Sequence, residues 1–66
     1  MTPTPAEIRA ARIAAQLTQA EAAALVYRQR RAWAGWEAGE WPMPAALWAL
    51  FQLRAAPAPT TGGATG

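Results

Sequence analysis

With 66 residues, six arginines, four glutamates and no lysine, histidine or cysteine, the chain holds enough for one small domain and lacks the groups most often used in active sites and metal centres. The formal net charge of +2 is modest, so where the arginines sit matters more than their sum. A core this small, with no disulfide or metal to reinforce it, is marginal unless a second subunit contributes.

The elements follow in chain order. Thr4-Pro5-Ala6-Glu7 offers an N-cap hydroxyl, a proline for the first turn and a carboxylate placed to bond back to the cap, which predicts a helix to about Ala15. Ile8, Ala11, Arg12 and Ala15 share one face of it. Thr18-Gln19-Ala20-Glu21 repeats the device and opens a second helix to about Val26, with Ala22, Ala23 and Val26 on one side. These faces are small, so the two helices can approach closely. A break at Tyr27 and Arg28 follows, then Gln29 as a cap and a third helix from about Arg30 to Ala38. Gly39 ends that helix, and Pro42 and Pro44 keep it from resuming. Trp33 and Trp36, three apart, point to the core and leave Arg30, Arg31, Ala34 and Gly35 on the outer side.

The last helix runs from about Pro44 or Ala45 to Arg54. Leu47, Trp48, Leu50, Phe51 and Leu53 make it apolar nearly all the way round. A surface helix of a monomer shows one apolar stripe, so a partner subunit is expected to cover the second. Leu47, Trp48 and Phe51 are the expected dimer contacts. Trp48 fits core and interface equally, and Trp41 fits packing beneath its loop, a nucleic-acid backbone or a dimer contact. From Pro57 onward the chain has no large apolar side chain and cannot bury enough surface to order itself. The expected organisation is an all-α, compact domain of four helices, at most five, over residues 1–55, with a disordered tail over 56–66.

Four glutamates without His, Cys or a paired carboxylate give no credible acid/base or nucleophilic constellation, so no enzyme, metal or cofactor is expected. No run of about eighteen apolar residues and no basic-then-apolar leader is present, which makes the cytoplasm the default location. The chemistry that stands out is Arg28-Gln29-Arg30-Arg31 at the start of the third helix. Each cation there is unfavourable by roughly 0.3 to 1 kcal/mol against the helix dipole. A polyanion would reverse that sign, and arginine suits phosphates and guanine edges. The plain alternative is a solvated charged turn.

Leu17-Thr18-Gln19-Ala20-Glu21, Ala23 and Trp36-Glu37-Ala38-Gly39, set in a helix, turn, helix order with a proline soon after, resemble the Cro/C1-like (XRE) helix-turn-helix repressor family over about Ile8 to Leu53. The string from Trp33 to Gly39, followed by Pro42-Met43-Pro44 and Leu47-Trp48-Ala49-Leu50-Phe51, is similar more narrowly to short autoregulators of the anti-CRISPR-associated type. The resemblance implies a homodimeric repressor, bacterial or encoded by a phage or plasmid, that reads an inverted-repeat operator through the major groove. Half-site centres would lie about 10 base pairs apart. It also implies DNA-binding roles for Gln19, Arg28, Gln29, Arg30, Arg31, Ala34 and Gly35, with Gln19 holding a phosphate and steadying the recognition helix. A partly buried ion pair falls on Arg12 and Glu37, and Trp33 replaces a smaller branched residue, so the second helix's alanines must accommodate it. Nothing in so short a chain is expected to bind a small-molecule effector.

The chain departs from the family at Tyr27, where a left-handed glycine is usual, which would cost about 1 kcal/mol or require a different turn. Arg28 replaces a small apolar residue, and either points outward to a phosphate or belongs to a longer turn. Five helices are common in the family, whereas the patterns here give four. Two other readings carry less. An antitoxin would need apolar anchors that the tail lacks. An Arg/Trp-rich membrane-active peptide would not need two capping boxes and a glycine stop.

Overall fold

Thr4 and Thr18 start their helices with the same reciprocal bonding. Each Oγ1 accepts from the amide of the glutamate three residues on, Glu7 or Glu21, at 3.1 Å, and that carboxylate accepts from the threonine amide at 2.8 Å. In the computed structural model, which describes residues 2–55, these caps open α1 (Pro5–Ala14) and α2 (Gln19–Leu25). They are followed by α3 (Arg30–Ala38) and α4 (Ala45–Ala55), and among the described residues there is no strand. The tail expected over 56–66 lies outside the described residues. Gln29 precedes α3 in an extended conformation, but its side chain makes no capping bond. Gln29 thus holds the expected cap position through its backbone alone, and its side chain accepts from none of the first amides of α3.

Three helices stop in one way. The residue after each last turn is left-handed: Gln16 at φ 62°, Tyr27 at φ 60° and Gly39 at φ 77°. The following amide reaches back to the carbonyl five residues earlier, from Leu17 to Arg12 at 3.2 Å, Arg28 to Ala23 at 2.9 Å and Glu40 to Gly35 at 2.9 Å. This is the Schellman closure. Glycine takes it without strain, whereas Gln16 and Tyr27 carry a Cβ that crowds the backbone in this region. Tyr27 therefore takes a conformation that glycine adopts more readily, despite its side chain. Gln16 is exposed and makes no side-chain hydrogen bond among the described residues. Gln16→Gly is accordingly expected to stabilise the fold by about 1 kcal/mol, which thermal melting would register as a rise of roughly 4–8 °C. A fall in melting temperature would show that the left-handed residue is not strained.

Between these helices lies a core of Ile8, Ala22, Ala23, Val26, Trp33, Trp36, Met43 and Phe51. α3 packs against α2 and α1, and α4 packs against α2. Trp33 is wholly enclosed, its ring 4.8 Å from that of Phe51 and 5.6 Å from that of Trp36. Ala22 and Ala23 are fully buried as well, and their small size leaves room for an indole where a larger pair would not.

One expectation about α4 changes. Phe51 is only 1 % exposed and belongs to the protomer's own core, so it is not available as a dimer contact. It is drawn in because Trp33 on α3 and Trp48 one turn earlier on α4 both pack against its ring, the latter stacked at 6.1 Å. Leu47, Trp48 and Leu50 are half-buried against the core, and Leu53, at 79 % exposed, is the large apolar side chain that α4 gives to solvent. Met43, enclosed between two prolines in the α3–α4 loop, is a core member that no helical spacing could have indicated.

Candidate nucleic-acid interface

The basic end of α3 depends on a carboxylate at the other end of the same helix. Glu37 Oε2 accepts from Arg12 Nε and from Trp33 Nε1, each at 2.6 Å. Its Oε1 accepts from Gln19 Nε2 at 3.1 Å and from Arg12 Nη2 at 3.2 Å. Arg12 also donates through Nη1 to the Leu17 carbonyl at 3.0 Å. One side chain on α3 thus ties α1, the α1–α2 connection and the first residue of α2 to α3. The Glu37 side chain is only 7 % exposed and that of Arg12 is 16 % exposed, so the pair is shielded from water and its bonds are charge-assisted.

Burial alone would raise the Glu37 pKa. The hydrogen bonds from Arg12, Trp33 and Gln19, with the Arg12 charge, outweigh that and hold the carboxyl below its ordinary value. The Arg12 guanidinium is raised, chiefly by its hydrogen bond to Glu37, against the opposing effect of burial. A carboxyl depressed by folding stabilises the fold above its unfolded-state pKa, about 4.3, and that contribution is lost as pH falls through the lower folded-state value. Melting temperature is therefore expected to drop as pH is taken below about 4, and Glu37→Gln should shrink that drop. An acid limb of unchanged size in the variant would assign it to other groups.

At the opposite end of α3, Arg28, Gln29, Arg30 and Arg31 are all exposed. Among the described residues the ion pair is Arg12–Glu37, and no carboxylate pairs with Arg28, Arg30 or Arg31. Arg28 donates from Nη1 to the Tyr27 carbonyl at 3.2 Å, a local bond that leaves the rest of its fork free. Its side chain is exposed, and its amide closes the turn on the Ala23 carbonyl. Gln19 is half-buried, with its amide nitrogen bonded to Glu37.

Gly35 does not lie on the open outer face. It is buried, because the Trp41 indole folds back from the α3–α4 loop and rests where a side chain would stand: a Cβ built on Gly35 would strike Cζ2 and Cε2 of Trp41 and come within 2.9 Å of Cη2. Ala34 beside it is half-buried. The expectation that Gly35 contacts DNA is corrected accordingly, and the open part of α3 is its first turn. Arg54 donates from Nη2 to Tyr27 Oη at 2.7 Å, with its guanidinium carbon 4.9 Å from the ring centre. This joins the end of α4 to the turn that carries Arg28.

The remaining glutamates are spread apart. Glu7 and Glu21 serve in caps, and Glu40 is exposed in the α3–α4 loop. Among the described residues no helix is long and apolar enough to cross a membrane. No protein-family model matches the chain, and no curated protein is significantly similar to it.

Proposed function

We propose that the chain is a sequence-specific, double-stranded-DNA-binding regulator, acting as a homodimeric repressor on an inverted-repeat operator. The observation that carries this reading is the pairing of opposites on α3. Its N-terminus is uncapped by a side chain, and Arg28, Arg30 and Arg31 there are exposed and without carboxylate partners among the described residues. Its far side is fixed by Trp33, Trp36 and Glu37. Such a helix meets a polyanion at one end without needing to rearrange. One or both of Arg30 and Arg31 would read guanine O6 and N7, while Arg28 would hold a phosphate and set the register. Two copies in successive major grooves would require half-sites about 10 base pairs apart. With Phe51 enclosed, the surfaces left for the second copy on α4 are Leu53 and the open edges of Leu47 and Trp48.

Selection of duplexes from a random pool, followed by binding across a salt series, tests the reading. Enrichment of an inverted repeat is expected, with affinity that falls by nearly one log unit per log of salt for each phosphate contacted. Failure to enrich any duplex would reject it.

A further inference from the structure

Trp41 has no place in the hydrophobic core. It is 44 % exposed, yet one side of its six-membered ring is seated on the bare backbone of Gly35, in a notch that exists only because that residue has no side chain. The free part of the indole walls a shallow depression of about 300 Å³, completed by Arg28, Gln29, Arg31 and Ala32. An apolar wall shares this depression with two arginines and one glutamine. Its chemistry matches a unit that is apolar on one side and anionic on the other. A base edge would ask for an alternation of donors and acceptors, whereas the two arginine side chains at this depression carry donors alone.

We propose that this depression takes one sugar–phosphate unit of duplex DNA, with the deoxyribose packed on the Trp41 indole and the phosphate held by Arg28 and the Gln29 amide, so that Trp41 is a positioning residue for binding. The inference rests on the DNA-binding reading above and deepens it. Arg31 on the same rim is left free for the neighbouring base edge. Because sugar and phosphate are common to all sequences, the contact sets register and strength and carries no sequence information of its own.

Two variants approach the contact independently. Trp41→Ala removes the wall. Gly35→Ala fills the notch, and since the atoms it displaces are the far end of an exposed side chain, the indole is expelled while α3 gains helix propensity. Measured on the selected duplex and on random duplexes of equal length, each variant is expected to weaken binding roughly tenfold on both. The double variant should be no weaker than either single one. The salt slope should be unchanged for Trp41→Ala, which removes no charge, and smaller by about one for Arg28→Ala. Circular dichroism verifies that each variant is folded. Binding retained by both Gly35→Ala and Trp41→Ala overturns the proposal while leaving the DNA-binding reading intact. So does a loss confined to the selected duplex, which would make Trp41 a base contact. If the unaltered chain enriches no duplex, the DNA-binding reading itself falls and the contact with it.

Discussion

Replacing Glu37 with alanine is expected to remove most of the stability of the fold. The substitution deletes the acceptor for Arg12, Trp33 and Gln19 at once. It leaves an indole N–H in a fully enclosed ring without its acceptor, and a shielded guanidinium without its countercharge and with only the Leu17 carbonyl as partner. Breaking a buried pair from one side costs roughly 3–5 kcal/mol. A domain of this size has about 3–8 kcal/mol in total, at the usual stability per residue. The variant should therefore be largely unfolded at 37 °C in thermal melts followed by circular dichroism. Glu37→Gln keeps the shape and one acceptor oxygen and should fall between. Removing both partners, as Arg12→Met with Glu37→Leu, should restore part of the loss, because no orphaned charge then remains. A melting temperature for Glu37→Ala equal to that of the parent would mean that the pair contributes nothing net.

Arg31→Ala is expected to act on binding alone. Its side chain is exposed, and no hydrogen bond or ion pair of the fold involves it among the described residues, so melting should stay within about 0.5 kcal/mol of the parent, as for ordinary surface changes. If the guanidinium reads a guanine, affinity for the selected duplex should fall by about 1–3 kcal/mol, and discrimination at one base pair of each half-site should relax. Equal weakening on random duplexes would reassign Arg31 to phosphate contact. Arg30→Ala, tested in parallel, shows which of the two does the reading.

Much of this arrangement is legible in the sequence. Thr4 with Glu7, Thr18 with Glu21, and Gly39 ahead of Pro42 are local signals, and local signals survive because caps and stops act over three or four residues. The inward spacing of Trp33 and Trp36 depends only on helical periodicity. What escaped depends on the path of the chain between helices. Met43 sits in a loop, where no periodicity marks a buried side chain. The burial of Gly35 is caused by Trp41 folding back across the helix, an event six residues away that helix geometry cannot announce. Phe51 was misplaced because α4 is apolar on several faces, and pattern alone does not say which face Trp33 will claim. Tyr27 shows that tertiary context can hold a residue in a conformation its side chain disfavours.

The junction at Glu37 also bears on how the molecule opens. Since α1 and α2 both bond to a single carboxylate on α3, peeling either away strips that buried group of a donor and weakens its hold on the other. Amide hydrogens in all three should exchange through one shared opening event of common free energy, while α4, held through Phe51 and Arg54 instead of Glu37, can open in a step of its own.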